Sequence, residues 1–507
     1  MKLKDILPLD NEVVYGNDEI EIAQIAYDSR KIGKDYLFFA LPGHTVDGKK
    51  YISDAVKNGA IAVVSDTFDA KIPVTQIVVK DIFHYMSLFS AKFYNYPDRE
   101  LKIIGITGTN GKTTITYMIE SILARMNEPC GVIGTVSYRY AGKTIEAENT
   151  TPQSLDLYKM MREMRDGGVK YLAMEVSSHA LSIGRVFGIE FDIAAFTNLT
   201  RDHLDFHKDF ESYFEAKSML FKGLKKASKR FEKFAIINAD DAYGLKLSKI
   251  PLEAEIKLYS VKKESDFKAE NVSIESGGTN FDVVYKNQKE KVSIKHIGLH
   301  NVYNALTALG CVICLGKDFK DAVEGLNASS QAPGRLERVD SKNSEFEVIV
   351  DYAHTDDALK NVLSALKDLP HNRLITVFGC GGDRDRTKRP LMGKTAAEMS
   401  DFVFITSDNP RTEDPKQIIL DIEVGIKRAE KRNYKVAEDR DNAIKEAVMM
   451  AEKGDIILLA GKGHETYQII GHEKYHFNDI EVAQKYISLK EKQRDCPKQI
   501  EQKEFDF

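Results

Sequence analysis

The sequence predicts an α/β protein built from three domains. Short apolar runs recur along the chain, and each ends in a polar or glycine-rich turn before a helix-like segment. The chain has 507 residues, and at roughly 100–200 residues per domain three is the natural division. Composition agrees. With 43% hydrophobic and 29% charged residues, a sizeable core is available and a mainly disordered chain is excluded.

Near the N-terminus the runs are Tyr36–Leu41, Ile61–Ser65 and Ile77–Val79. In the middle they are Ile103–Thr107, Leu172–Val176, Ile193–Thr197 and Phe234–Asn238. In the last third they are Phe346–Val350, Leu374–Phe378, Phe402–Thr406 and Ile456–Ala460. Runs of this length, apolar on both faces and alternating with helical patterns, read as buried parallel strands. Residues 261–296 alternate polar and apolar types around GG and KNQ turns, which reads as a small antiparallel insertion. One boundary is expected in the turn-rich stretch Asn95–Glu100 and a second at Gln331–Arg335, dividing the chain into 1–97, 98–333 and 334–507. The charged tail after Leu489 reads as frayed.

Several function classes drop out. The 72 basic and 77 acidic side chains leave a net charge of −5, without the basic excess of a non-specific nucleic-acid binder. Five cysteines are too few for a disulfide scaffold. Cys311 and Cys314 form a CxxC inside an apolar helix-like run from Asn304 to Leu315, where core packing is a simpler reading than redox or metal work. No stretch approaches the roughly 18 apolar residues of a membrane span. The opening MKLKDILPLD has no signal-peptide core. The expectation is a cytoplasmic monomer acting on small molecules, with no nucleic-acid partner and no membrane insertion.

Ligands of open parallel sheets bind at the carboxyl ends of the strands. After the middle runs come GTNGKTT, SSH, NLTRDHLD and ADD; after the late runs come DYAH, GCGGDRD, SDNPR and GKGHE. These polar, varied endings suggest two facing active-site rims. Ile103–Thr107, then Gly108-Thr109-Asn110-Gly111-Lys112-Thr113-Thr114, then a helical pattern from Ile115 to Met126, make a strand, a glycine loop and a helix. The glycines let backbone N–H groups approach phosphate oxygens, and the helix N-terminus adds partial positive charge. Lys112 is placed to reach the outer phosphates, and the Thr113 hydroxyl suits Mg²⁺. The loop is shorter than the GxxxxGKS/T form, which needs glycine where Ile106 stands. It implies nucleotide binding, and by itself it fits a motor, a switch, a kinase or a ligase.

In order along the chain stand GTNGKTT, MEVSSH (Met174–His179), TNLTRDHLDFH (Thr197–His207), HNVYNAL (His300–Leu306), APGRLE (Ala332–Glu337) and DYAHT (Asp351–Thr355). This series resembles the Mur ligase superfamily. YDSR (Tyr27–Arg30) and the C-terminal GCGGDRD, DNPR and GKGHE narrow the resemblance to the branch that adds the third residue of the peptidoglycan stem. The resemblance implies an N-terminal UDP-substrate domain, a central P-loop-type ATPase domain with a parallel sheet, and a C-terminal Rossmann-like domain that brings the amino acid. It implies that ATP activates the D-glutamate γ-carboxyl of UDP-N-acetylmuramoyl-L-alanyl-D-glutamate as an acyl phosphate. An amine of meso-2,6-diaminopimelate then attacks, in the service of cell-wall synthesis and, through it, cell shape and division.

The resemblance also assigns roles. Lys112, Glu175, His203 and Lys217 are the implied catalytic group. Thr113, Glu175 and His203 would hold Mg²⁺, together with Lys217 after its carbamylation by CO₂. Asn301, Arg335 and Asp351 join the loop residues on ATP. Without the resemblance, Glu175 is equally a capping or salt-bridge carboxylate, His203 a surface-turn residue, Lys217 a solvated lysine on an amphipathic helix, and Asn301 an N-cap. Ser29 and His44-Thr45-Val46 match uridine contacts; Thr150, Thr151, Ser177 and Arg185 match contacts to the sugar–peptide arm. The threonines also read as a helix start with Pro152 at its first position. Ile183 stands where some relatives carry glutamine, so one polar substrate contact is in doubt. Asp356 replaces the proline usual after DYAHT, which changes the start of the next helix more than the chemistry.

The amino acid is read from the C-terminal rim. Arg384 and Asp408-Asn409-Pro410-Arg411 follow adjacent-looking strands, and two guanidinium groups there can clamp a carboxylate. Glu465 can pair with an ammonium, and Gly461 allows close backbone approach. The pattern resembles the meso-diaminopimelate type; meso-lanthionine carries the same two ends, whereas L-lysine would leave Arg411 without a partner. A plain Asn-Pro turn is the bland reading of DNPR. The alternatives at the level of function are a folylpolyglutamate synthase-like ligase and a non-catalytic nucleotide switch.

Overall fold

The structure is a computed structural model that describes residues 1–8, 13–43, 47–203, 206–225, 231–275, 277–340 and 345–495. Among the described residues the strands form sheets of five, eleven, six and two strands. The apolar runs named above all lie in the three large sheets, and every one pairs in parallel with a neighbouring run or strand. Such strands are buried on both faces, which is why an unbroken apolar run marks them.

In the eleven-stranded sheet, Lys102–Thr107 lies between Tyr171–Glu175 and Ile193–Phe196. The chain leaves this strand for Cys130–Ile133, beyond Tyr171–Glu175, and later crosses back to Ile193–Phe196 on its other side. That arrangement opens a crevice at the carboxyl end of the strand, where the glycine loop begins. One face of the sheet is covered by helices Lys112–Arg125, Leu299–Cys314 and Phe319–Asn327. Ile104, Ile106, Ile115, Ile119, Ile122, Val302, Leu306 and Leu309 fill that layer. Gly325 allows the close approach: a Cβ there would stand 2.8 Å from Ile122 Cα.

Three strands, Phe267–Glu275, Gly278–Tyr285 and Gln288–Ile294, are antiparallel as expected. They are not a separate insertion, however. Phe267–Glu275 pairs in parallel with Glu255–Ser260 and so extends the central sheet. The physical reason is that the hairpin has one apolar face. Phe267, Ala269, Phe281, Val283 and Val292 are buried in the same layer as helix Leu299–Cys314, and an isolated hairpin could not cover them.

The six-stranded sheet runs in the order Glu337–Arg338, Glu347–Asp351, Ile456–Ala460, Leu374–Phe378, Phe402–Ile405, Tyr434–Val436. It is parallel apart from the first pair. Its two layers form apolar clusters largely of their own, with Ile297 of the central part joining one of them. By contrast, the five-stranded sheet shares a continuous core with the central one, through Phe89 on helix Ile82–Phe93 and Tyr158 and Met161 on helix Ser154–Asp166.

Three local expectations need correction. The last helix continues past Leu489 to Asp495, held where Lys490 Nζ donates to the Val448 and Met449 carbonyls at 2.8 and 3.0 Å. His300 and Asn301 lie inside the first turn of helix Leu299–Cys314, whose N-cap is Gly298, so Asn301 caps nothing. Thr150 and Thr151 do not start a helix: that helix begins at Ser154 behind Gln153, and the Thr151 hydroxyl is engaged elsewhere. Cys311 is buried in the core, as the packing reading expected, and burial pushes its thiol up. No helix among the described residues is long and apolar enough to cross a membrane.

Candidate active site

The glycine loop leaves Lys102–Thr107 and turns into helix Lys112–Arg125. Gly108 has φ +145° and Gly111 has φ +92°, conformations that favour glycine. Space demands it too: a Cβ at Gly108 would stand 1.8 Å from Thr197 Oγ1, and one at Gly111 2.3 Å from Asn304 Oδ1. The loop is fixed by its neighbour after the next strand. Thr109 N donates to the Asn198 carbonyl at 2.9 Å, Asn110 N to Asn198 Oδ1 at 3.0 Å, and Thr197 Oγ1 to the Asn110 carbonyl at 2.7 Å.

Two lysines converge on this loop. Lys112 Nζ donates to the Gly108 and Thr109 carbonyls at 2.9 and 2.8 Å. Lys217, on helix Phe210–Lys222, donates to the same Gly108 carbonyl at 2.9 Å. Lys217 is 1% exposed, so it is not a solvated lysine. Burial, and then repulsion from Lys112, hold its amine well below the usual lysine range. Burial lowers Lys112 as well.

Glu175 ends its strand beside the loop and is 1% exposed. Its Oε1 accepts from Thr113 Oγ1 and from Thr135 N, both at 2.9 Å, and its Oε2 from Thr135 Oγ1 at 3.0 Å. Arg335 reaches across from the C-terminal side, with Nη2 3.3 Å from Thr113 Oγ1 and its guanidinium 4.7 Å above the Tyr352 ring. His203 has φ +55°. Its Nε2 stands 3.3 Å from Asp202 Oδ2, and burial drives its imidazole down to about 3, so it is neutral.

A cavity of about 480 Å³ opens from the loop. Asn110, Gly111, Thr114, Asn301, Arg335 and Asp351 line it, bringing expected residues of two sheets together. Asn301 Nδ2 donates to the Ile297 carbonyl at 2.9 Å, and its Oδ1 accepts from Asn304 Nδ2 at 2.9 Å. Asp351 accepts from Leu336 N at 2.7 Å and Ala353 N at 2.8 Å, and burial raises its carboxyl. Asn110 Nδ2 donates to Asp357 Oδ2 at 2.9 Å, closing the cleft between the sheets. Asp356 is the first residue of helix Asp356–Lys367, which Thr355 caps.

On the other side of Glu175, Thr151 Oγ1 donates to the Glu175 carbonyl at 2.8 Å and stands 3.4 Å from Ser177 Oγ. Arg185 Nη1 donates to the Thr151 carbonyl at 2.7 Å, and its buried Nε has no hydrogen-bond partner among the described residues. Thr150 Oγ1 meets Thr135 Oγ1 at 3.1 Å. These four expected residues form one polar arm leading from Glu175. Tyr27 OH crosses to Asp156 Oδ2 at 2.5 Å. Ser29 lines a separate cleft with Tyr27, Tyr51 and Asn58. His44, Thr45 and Val46 lie outside the described residues.

The C-terminal rim gathers the last group. Arg411 and Arg384 flank Gly381: a Cβ there would stand 2.9 Å from Arg411 Nη1 and 3.9 Å from Arg384 Cγ. Burial, and then Arg384, lower Arg411. Arg411 Nη1 donates to the Gly382 carbonyl at 2.8 Å and Arg384 Nη1 to the Asp383 carbonyl at 3.0 Å. Asn409 Nδ2 donates to Glu465 Oε2 at 2.8 Å. Asp408 stands beside them, and Gly461, at φ +111°, would carry a Cβ 3.9 Å from the Asp408 carboxylate. Pro410 turns the chain there, its carbonyl 1.9 Å from where a Gly382 Cβ would lie.

Known proteins are similar to this chain. Family models match three stretches: the Mur ligase family, catalytic domain over 21–94, the Mur ligase middle domain over 106–312, and the Mur ligase, glutamate ligase domain over 334–463. The chain is 45% identical over 490 residues to UDP-N-acetylmuramoyl-L-alanyl-D-glutamate--2,6-diaminopimelate ligase 1 of Clostridium acetobutylicum, covering 96% of this chain and 99% of that one. The chain belongs to the Mur ligase family. It is a ligase. A Fusobacterium nucleatum protein named UDP-N-acetylmuramoyl-L-alanyl-D-glutamate--2,6-diaminopimelate ligase is 47% identical over 91% of this Mur ligase and 93% of its own length. A solved structure named for the same ligase superposes with TM-score 0.67 at 33% identity, over 97% of this chain and 99% of that one. A Mycobacterium tuberculosis folylpolyglutamate synthase shares the fold alone, with TM-score 0.62 at 18% identity.

The Mur ligase site also holds residues that sequence reasoning did not single out. Thr135 follows the short strand Cys130–Ile133, whose apolar run was too brief to notice. Asn198 and Asn304 sit within quoted motifs, and only the loop geometry shows why they matter. Lys462, in GKGHE, is fully buried against Asp408 and Glu465.

Proposed function

We propose that this Mur ligase uses ATP to join meso-2,6-diaminopimelate to the D-glutamate γ-carboxyl of UDP-N-acetylmuramoyl-L-alanyl-D-glutamate. The observation that carries the reading is the C-terminal rim. It sets a cation pair, Arg384 and Arg411, beside an anion pair, Asp408 and Glu465. A free amino-acid end carries both charges and fits such a rim. The relatives' names point to the same substrates.

The three family matches suggest a division of labour. The first holds the UDP end near Ser29, the second holds ATP, and the third holds the diamino acid. The γ-carboxylate attacks the γ-phosphorus of ATP, ADP leaves, and an acyl phosphate forms. The free amine attacks its carbonyl carbon, phosphate leaves, and the amine proton is lost. Backbone N–H groups of the glycine loop, Lys112 and Arg335 offset the charge gathered around the phosphates. Asn301 and Asp351 support the nucleoside end in the cavity. Thr150, Thr151, Ser177 and Arg185 orient the peptide arm toward Glu175.

The Thr113 hydroxyl and Glu175 carboxylate are hard oxygen donors facing each other at 2.9 Å, a fit for Mg²⁺, and the resemblance adds His203 as a further donor. A metal bound there supplies charge neutralisation between ATP and carboxylate. Lys217 suits carbamylation, because burial lowers its amine and so favours the uncharged form that reacts with CO₂. The carbamate would turn a cation into an anion beside the loop.

Phosphate release tests the reading. The full chain is given ATP, Mg²⁺ and UDP-N-acetylmuramoyl-L-alanyl-D-glutamate, with meso-diaminopimelate, meso-lanthionine, L-lysine or no amine. Release with the two-ended diamino acids and not with L-lysine is expected. Strong release with L-lysine keeps the ligase and removes the arginine clamp. No release with any amine removes the substrate assignment.

A further inference from the structure

We infer that Lys462 is a positioning residue that keeps two carboxylates of the amino-acid rim open to an ammonium, and so makes this ligase demand an amine at the far end of its amino acid. The inference rests on the diamino-acid reading above. Lys462 follows strand Ile456–Ala460, and its side chain is 0% exposed. Nζ stands 3.3 Å from Asn409 Oδ1, 3.4 Å from Glu465 Oε2 and 3.5 Å from Asp408 Oδ1. Three donors meet three acceptors. The distances are long for hydrogen bonds, so charge attraction carries much of the contact.

Each carboxylate turns one oxygen to the lysine. Glu465 Oε1 and Asp408 Oδ2 accept no hydrogen bond among the described residues. Both remain available to an incoming ammonium. Burial and the nearby Asp408 raise the Glu465 carboxyl, while Lys462 pulls it down. Two carboxylates left together without a cation share a proton. The O–H so formed is a donor, and it opposes an ammonium instead of accepting from it. Arg440 is committed elsewhere through Nε and Nη2, which pair with Asp479 at 2.8 and 2.6 Å, and among the described residues it makes no hydrogen bond to Asp408 or Glu465. Arg411 and Arg384 are assigned to the distal carboxylate.

The test compares meso-diaminopimelate with 2-aminopimelate, which keeps the reacting amine and the distal carboxylate but lacks the distal amine. The full-length wild type is expected to prefer meso-diaminopimelate in kcat/KM by roughly 100-fold or more. In Lys462→Met the KM for meso-diaminopimelate should rise by about 10–100-fold and the preference should shrink to within about 10-fold. The KM values for ATP and the UDP substrate should hold. Lys462→Arg, which keeps the charge, should keep most of the preference. Equal losses on both amino acids in Lys462→Met would mean a merely structural lysine and overturn the inference. So would a folded Lys462→Arg without the preference, which decides the matter if the Met variant does not fold. A wild type that releases no phosphate with meso-diaminopimelate brings down the proposed function and this inference together; an active wild type with uniform losses in the variants brings down the inference alone.

Discussion

Lys217 sits on helix Phe210–Lys222 among Tyr213, Phe214, Leu220 and Phe221, all buried. Periodicity alone makes it a solvated lysine, because the pattern does not say that this face turns toward the Gly108 carbonyl. The motif resemblance marked it; the geometry supplies the cause, a buried amine sharing one acceptor with Lys112. Glu175 was marked by the same resemblance, since a strand-closing carboxylate also reads as a cap or salt-bridge partner; the geometry sets it against Thr113 and Thr135. Lys462 was not legible, since its role depends on a turn more than fifty positions away in sequence. For Lys217→Ala, turnover should fall by roughly 10²–10³. In ¹³C-bicarbonate, the wild type should show a carbamate carbon signal that the variant lacks. An Ala variant with wild-type turnover would remove Lys217 from the chemistry.

Elements were legible where burial is two-sided. The central strands read directly as apolar runs, because helices cover both faces of their sheets. Val13–Tyr15 and Gln24–Ala26 escaped notice: they are edge strands of three residues with exposed positions, so no run marks them. The antiparallel strands were visible as alternation, but alternation does not say which sheet their apolar face completes. Helix Lys112–Arg125 ties the phosphate loop to the core through Ile115, Ile119 and Ile122. Ile119→Ala, far from the reacting groups, should cost about 2–5 kcal/mol through the cavity it leaves. The measurement is urea unfolding: a lower midpoint at unchanged slope is expected. An unchanged midpoint would mean that the layer between this helix and Leu299–Cys314 is loosely packed.

At the scale of the molecule, the site is assembled from two sheets that the sequence shows only as two rims. Which residues meet across the cleft, such as Asn110 with Asp357 and Arg335 with Thr113, could not be read from spacing. Burial also acts on histidines. His296, His300, His354 and His464 are each lowered by burial to about 4 from an ordinary 6.5. The folded values lie below the unfolded one, so on acidification the unfolded chain takes up protons first. Stability is therefore complete above about pH 6.5 and is lost as pH falls toward 4. Unfolding followed from about pH 7 to about pH 5.5 should show a falling midpoint; an unchanged midpoint would mean that these imidazoles protonate freely in the folded state.

The six-stranded sheet keeps apolar layers largely its own, and Arg384, Asp408–Arg411, Lys462 and Glu465 are all on it. The phosphate loop, Glu175 and Lys217 are all on the other side of the cleft. On the proposed reading, the choice of building block rests on one side of the cleft, while the energy chemistry draws on both, because Arg335 and Asp351 reach it from the six-stranded side. Mutation can therefore drift the rim proposed to choose, while the phosphate loop, Glu175 and Lys217 are passed on intact. A lineage of such chains can alter the chemistry of its wall without reinventing the bond that builds it.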